Sequence, residues 1–402
     1  MHILFLVDNF PPEVNAPATR TYEHCTEWIK EGHKVTVITC APNFPQGKVY
    51  DGYKNRIYSK EILDDILVIR VWSYIAENKG VIKRILDWLS FAVTSFIFGV
   101  FQKHDLIIAT SPQFFTTWSA WAISKIRRKP WIFEVRDLYP ESIKTVGVIK
   151  NNIIINMLEK IEIGLYKSAN RVIVVTDAFK KNLISRGISE NHVDIVTNGS
   201  NLELFYPRKK NDKLLEHLNL EGKFIIGYVG THGMAHGLDF ILNSIEKVKD
   251  KNMHFLFIGD GSEKEKLLKL AKKINLKNIT FLDPISKELV PEYLSITDIS
   301  LVPLVKADNY KQVIPSKIFE SSAMHKPILL GVEGQAKKII DKHNAGLSYE
   351  PENQDDFLAK LKKISDKSMY DDLINGCQSL AVAYNRKTLA KKMLKILTKI
   401  KK

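Results

Sequence analysis

Cysteine is scarce in this chain. Cys25, Cys40 and Cys377 are spread over 402 residues, too few and too scattered for a disulfide framework. None belongs to a C-x-x-C pair, so neither a zinc site nor a dithiol redox centre is indicated, and a reducing compartment is the simplest setting. Long apolar runs are also missing. Trp88 to Gln102 holds 15 residues without a charge, short of the roughly 20 that span a bilayer. The first residues, Met1 to Asp8, have no basic n-region and their apolar run ends at an acid, so they are expected to form a buried strand, not a signal peptide. The dinucleotide fingerprint G-x-G-x-x-G is absent, and the first strand exit carries Pro11-Pro12 instead of glycines. That argues against a nicotinamide-dependent dehydrogenase.

What is abundant is positive charge. Fifty-nine Lys and Arg against 45 Asp and Glu give a formal net charge of +14. Such a surface favours anionic partners: phosphorylated substrates, acidic lipid headgroups or nucleic acid. A nucleic-acid-binding protein should show a known module or interleaved aromatic and basic residues, and none is found.

Short β-branched runs alternate with helical stretches through the first half. Strands are expected at Ile3–Val7, Lys34–Thr39, Ile66–Val71, Leu106–Ala109, Trp131–Val135 and Arg171–Thr176. The pattern restarts after the charged, proline-containing stretch Pro207–Lys213, which reads as a linker. Strands then follow at 224–229, 255–258, 279–282, 299–302 and 328–330. Short apolar strands alternating with helices imply parallel sheets covered on both faces, so two consecutive α/β units are expected. Two segments stand apart. Trp88–Gln102, preceded by Lys83 and Arg84, suits either a buried helix or a helix lying in a membrane interface. The tail Arg386–Lys402 carries seven Lys and no acid, with Leu389, Met393, Ile396, Leu397 and Ile400 at helical spacing. It suits a docked terminal helix or a contact with anionic lipid.

Open parallel sheets bind ligands beyond the carboxyl ends of their strands. After 224–229 comes Gly230-Thr231-His232-Gly233-Met234-Ala235-His236-Gly237, where glycines let the backbone approach an anion and the next helix points free N–H groups at it. The exit Gly259-Asp260-Gly261 is explained as well by turn chemistry. In Pro315-Ser316-Lys317-Ile318-Phe319-Glu320, Pro315 fits a first helical turn and Ser316 a cap. Lys317 then opposes the helix dipole, which makes sense if a phosphate sits there. Glu320 lies one turn on and could accept both ribose hydroxyls. In the first half, Arg136-Asp137-Leu138-Tyr139-Pro140-Glu141-Ser142 follows a strand and places an Arg, acids and a Tyr at its exit. The loop Asn9–Arg20 suits a shaped acceptor loop.

Together these segments resemble the family 4 retaining glycosyltransferases of the GT-B fold over nearly the whole chain. The resemblance also rests on Gly32-His33-Lys34-Val35-Thr36-Val37, on Asp194–Gly199 with Phe205 and Pro207, and on Asp298-Ile299. "RDLYPES" at 136–142 and "PSKIFE" at 315–320 point to the WbuB-like subgroup of O-antigen and capsule transferases. The resemblance implies an α/β protein of two Rossmann-like domains facing across a cleft: an acceptor-binding domain at 1–205, a nucleotide-sugar-binding domain at 206–378, and a basic amphipathic helix at 379–402 crossing back to the first. It implies a UDP-sugar donor, with an N-acetylated sugar such as N-acetyl-L-fucosamine, a polyprenyl-diphosphate-linked saccharide acceptor, no metal, and work at the inner face of the cell membrane.

Carried over residue by residue, Glu320 is the second acid of the family's E-x7-E motif, while the first falls on Gln312. Donor binding is expected of Gly230, Thr231, His232, Gly233, Gly261, Gln312, Pro315, Ser316, Lys317 and Glu320. Asp137, Arg136 and Lys317 are the expected catalytic residues, with Arg136-Asp137 standing where relatives have His-Asp. Acceptor binding is expected of Asn15, Arg20 and Glu141. The competing expectation is a UDP-sugar epimerase of the same fold.

Overall fold

The computed structural model describes residues 1–44, 46–75, 81–111, 114–138 and 152–400. The chain divides into two compact units. Unit 1 comprises Met1–Thr197 and Lys387–Lys402, and unit 2 comprises Asn198–Arg386.

Unit 1 is built on eight strands: β1 (His2–Leu6), β2 (Lys34–Thr39), β3 (Tyr58–Leu63), β4 (Ile66–Val71), β5 (Leu106–Thr110), β6 (Trp131–Val135), β7 (Arg171–Val174) and β8 (Val193–Ile195). Their order is β3-β4-β2-β1-β5-β6-β7-β8. Every neighbour pair is parallel except β3–β4. Successive side chains of a strand point to opposite faces, and the cores obey this. Leu4 and Leu6 of β1 join one layer with Phe91, Ile123 and Tyr166. Ile3 and Phe5 join the other with Trp28, Met393 and Leu397. Both faces are therefore apolar, as a parallel sheet requires. The terminal helix Arg386–Ile400 covers the second layer. The Trp28 indole donates to the Ala390 carbonyl at 2.9 Å, and Lys391 pairs with Glu31 at 2.7 Å.

Unit 2 carries six parallel strands: β9 (Phe224–Val229), β10 (Met253–Ile258), β11 (Ile279–Leu282), β12 (Ile299–Pro303), β13 (Ile328–Gly331) and β14 (Gly346–Ser348). The order is β11-β10-β9-β12-β13-β14. The chain winds outward from β9 first through β10 and β11, then through β12, so the switch point lies at the carboxyl end of β9.

Four elements differ from the sequence expectation: the strands β3, β8 and β14, none of which was expected, and the stretch 207–213. β3 was not anticipated: its polar, half-exposed residues lack an apolar period. It is an edge strand, turned back onto β4 by Asp64 and Asp65, both at positive φ. Asp tolerates that conformation, though less readily than Asn or Gly. The stretch 207–213 is not the linker. Lys210 pairs with Asp298 at 2.6 Å and Asn211 caps the helix Asp212–Leu218, which ties the segment into unit 2. Phe205 is likewise buried with Leu294 and Ala323. The chain thus leaves unit 1 at Thr197 and rejoins it at Lys387.

Among the described residues, no helix is long and apolar enough to cross a membrane.

Candidate functional site

The glycine-rich turn after β9 meets the helix Lys317–Ala323 in unit 2. Gly230 stands at φ +143°, and a Cβ there would lie 2.5 Å from Lys317 Cε. The missing side chain is what admits the lysine. Its ammonium rests 3.8 Å above the Tyr228 ring centroid, a cation–π contact. Lys317 has no carboxylate ion pair among the described residues, and desolvation lowers it to about 7, while the charge of Glu320 acts to raise it. Tyr228 is itself held: its hydroxyl donates to the Thr231 carbonyl at 2.5 Å.

The loops after β9 and β10 pack backbone to backbone. A Cβ on Gly259 would stand 2.0 Å from the Gly230 carbonyl oxygen, and one on Gly261 would stand 2.5 Å from the His232 carbonyl oxygen. His232 N–H donates to the Asp260 carbonyl at 2.8 Å, and Glu263 N–H to the His232 carbonyl at 2.9 Å. From below, Lys264 donates to the carbonyls of Gly259 and Leu282 and to Asp283.

His232 is fully buried among Tyr228, Phe257 and Phe281, and neither ring nitrogen has a hydrogen-bond partner. Desolvation, with Lys264 and Lys317 nearby, lowers it to about 4. His236 meets the Tyr228 ring edge-on, with ring centroids 5.9 Å apart, and is also lowered to about 4, by desolvation first and Lys317 second. Both imidazoles are neutral at pH 7. Thr231 is exposed and Gly233 half-buried at the rim.

The segment 315–320 departs from its expected local form. The helix starts at Lys317, so Pro315 precedes it. Ser316, at the cap position, is already in αR geometry and makes no side-chain cap hydrogen bond. A capping side chain needs an extended backbone to fold back on the helix, and Ser316 lacks it. Glu320 is half-buried one turn beyond Lys317. Gln312 ends the short 3-10 helix Asp308–Gln312, half-buried.

In unit 1, Ser111 organises the exit of β6. Its hydroxyl accepts from the backbone N–H of Arg136 at 2.8 Å and of Asp137 at 3.1 Å. Asp137 reaches solvent, yet the protein around it raises its carboxyl above the ordinary range, with Arg136 acting the other way. Glu141 lies outside the described residues, as do Tyr139, Pro140 and Ser142.

Two expected acceptor residues have internal partners. Asn15 caps α1 (Ala16–Lys30), accepting from Ala18 N–H at 3.0 Å. Arg20 is 2 % exposed and pairs at 3.0 Å with Glu134, which is 1 % exposed. It also donates to the carbonyls of Thr197 at 2.7 Å and Val196 at 2.9 Å. Arg20 is therefore a strut inside unit 1, because a buried guanidinium requires such partners. The loop before it is braced by buried Glu13, which accepts from the N–H groups of Phe10, Asn43 and Phe44.

Sequence reasoning missed Tyr228 and Lys264. Tyr228 sits in an apolar strand and looks like core; its position two residues before a glycine was the available signal. Among the described residues, no group of three or more His, Cys, Asp or Glu is placed to hold a metal ion.

A pair of parallel-sheet α/β units, with a glycine-lined cation site at the switch point of the second, is the architecture of the GT-B glycosyltransferases. Comparison with known proteins agrees. Residues 17–204 match the model "Glycosyltransferase Family 4" and residues 210–380 match "Glycosyl transferases group 1". WcaI of Escherichia coli strain K12, named as a colanic acid biosynthesis glycosyl transferase, is 27 % identical over 328 residues, 79 % of this chain and 80 % of that one. Sucrose-phosphate synthase from Thermosynechococcus elongatus superposes with TM-score 0.78 at 17 % identity, covering 99 % of this chain and 98 % of that one. Anabaena HepE, solved with UDP-glucose, gives TM-score 0.73 at 14 % identity over 99 % and 100 % of the two chains. The chain is a family 4 glycosyltransferase of the GT-B fold, an enzyme.

Proposed function

We propose that this glycosyltransferase takes its sugar from a UDP-sugar, binding the nucleotide at the carboxyl edge of β9. The observation that carries this is the placement of Lys317: an ammonium without a carboxylate ion pair among the described residues, held over Tyr228 and against Gly230. A diphosphate brought there gives Lys317 its missing counter-charge. As the bond from the anomeric carbon to the diphosphate oxygen breaks, negative charge grows on the leaving group, and a prepositioned cation stabilises it most at that moment. The backbone N–H groups of Thr231 and Gly233 add to this, the His232 N–H being held by the Asp260 carbonyl, and Glu320 accepts from the ribose hydroxyls. Gln312 takes the place of a motif acid and offers the sugar a hydrogen bond without charge. Asp137, with Arg136 beside it, orients acceptor or sugar. The donor reading is supported by the UDP-glucose bound in the HepE neighbour.

The same proposal places the enzyme in exported polysaccharide synthesis, in keeping with the name of the E. coli relative. The sugar is N-acetylated, as in the WbuB-like transferases, and the acceptor is a saccharide on a polyprenyl diphosphate. No metal is required, since protein cations meet the diphosphate.

Thermal unfolding with UDP, GDP, dTDP and ADP, each with and without EDTA, tests the reading. A ligand at about 100 times its Kd adds roughly 2.7 kcal/mol to folding stability. UDP-selective stabilisation that survives EDTA, absent in Lys317→Met, is expected. No response to any nucleotide removes the donor assignment.

A further inference from the structure

The helix α2 (Val81–Gly99) covers one face of the unit 1 sheet and turns an apolar row outward. Phe91, Ala92 and Ser95 are buried against the core, as helical spacing requires. On the opposite side Ile85, Leu89, Val93 and Ile97 recur every four residues with Leu86 beside them, and Phe101 continues the row past the helix end. All are exposed, Val93 to 50 % and Phe101 to 78 %. Polar residues normally occupy such a face. The one acid of α2, Asp87, is half-buried and accepts from the Ser73 hydroxyl at 2.5 Å. The face itself carries no negative charge.

A second helix extends it. α3 (Phe114–Arg127) lies alongside α2: Ser119 donates to the Ala92 carbonyl at 2.6 Å, and Gly99 stands against Ile123. α3 exposes Trp121 and Ile126. Cations frame both ends. Lys83 and Arg84 precede the row, and Lys103, Lys125, Arg127 and Arg128 follow it, all exposed. None pairs with a carboxylate among the described residues; Arg84 lies over the Trp88 ring at 5.2 Å.

We infer that the α2–α3 face is a docking surface for an anionic phospholipid bilayer. Two features select this occupant. The apolar row is flanked by exposed cations, none in a carboxylate ion pair among the described residues, and they are the charge complement of acidic headgroups. Its side chains lie along a helix too short and too charged at its start to cross the membrane, which suits lying in the interface. The inference rests on the lipid-linked acceptor proposed above, and it adds where on unit 1 the membrane sits.

The full-length chain is sedimented with vesicles of phosphatidylcholine, with and without phosphatidylglycerol. Binding is expected to the anionic vesicles. The triple variant Leu89→Ser, Val93→Ser, Ile97→Ser should lower the partition by about tenfold or more. Lys83→Gln with Arg84→Gln should lose about fivefold per cation on anionic vesicles only. Val382→Ser, an exposed apolar residue on the helix Lys367–Ala383 of unit 2, should change nothing. Leu89→Ser alone replaces the triple variant if that fails to fold. Wild type that ignores vesicles, or face variants that bind like wild type, overturns the inference. So does a wild-type dimer that the face variants dissociate without any vesicle binding. UDP-dependent stabilisation is measured on every sample: if it persists while vesicle binding is absent, only the surface fails; if vesicles bind and UDP does nothing, only the donor reading fails.

Discussion

Lys317 shows how a single side chain links fold stability to ligand binding. Its ammonium is lowered to about 7, while an unfolded lysine titrates near 10. Between those values the unfolded chain binds more protons, so stability of the ligand-free protein rises with pH across that window. Lys326, held at about 8 by burial, contributes over the upper part. Denaturant midpoints from pH 7 to 10 should show the rise, and Lys317→Met should flatten it. UDP binding should weaken as pH climbs above 7, because the diphosphate needs the protonated form. On the acid side, His232, His236 and His254 each sit at about 4, so stability should fall as pH drops from about 6.5 towards 4. His232→Phe should remove part of that fall, since the site is already lined by aromatic rings. Arg20→Ala should cost about 3–5 kcal/mol by leaving Glu134 buried and unpaired, measured by urea unfolding. The placement of Lys317 at a helix start opposing its dipole was legible in the sequence. Its resting place on Tyr228 was not, because a ring in an apolar strand gives no sign of what lies above it. Arg20 misled for a related reason: an arginine at a strand exit looks like a ligand donor until its buried partner, 114 residues away, is seen.

At the scale of elements, the two glycine turns act as one part. Gly230→Ala would press a methyl group into Lys317 at a φ that side chains rarely adopt. A stability loss of about 1–3 kcal/mol is expected, together with loss of UDP-dependent stabilisation as Lys317 is displaced. Gly259→Ala meets unyielding backbone instead of a flexible side chain, so it should destabilise more and be read in the thermal midpoint before any activity is lost. The central strands of both sheets were legible because buried parallel strands are continuous apolar runs, whereas the three-residue edge strands β8 and β14, each with a single buried residue, were not. The hairpin partner β3 was not, since an edge strand needs no apolar period. Nor was the uncapped start at Ser316, where the sequence offers a good capping residue but the backbone is already helical.

At the scale of the whole molecule, repetition of the α/β pattern made two units readable, while their limits were set by packing that no linker composition reveals. The last helix belongs to the core of unit 1: Leu389, Met393 and Leu397 are buried there. Leu397→Ala should cost about 2–5 kcal/mol, and removal of 387–402 should unfold unit 1 while a nucleotide-stabilised transition of unit 2 persists in calorimetry. Entry to and exit from unit 2 lie side by side. Ser200 N–H donates to the Tyr384 carbonyl at 3.0 Å, Arg386 N–H donates to the Ser200 carbonyl at 2.9 Å, and the Arg386 guanidinium holds the Gly199 carbonyl. Topologically, residues 198–386 are an insert whose two ends are already clasped. Such a piece can be lifted out and replaced as a single cassette with two neighbouring splice points. Under the donor reading proposed above, one recombination event would exchange the donor-binding unit and leave unit 1 unaltered.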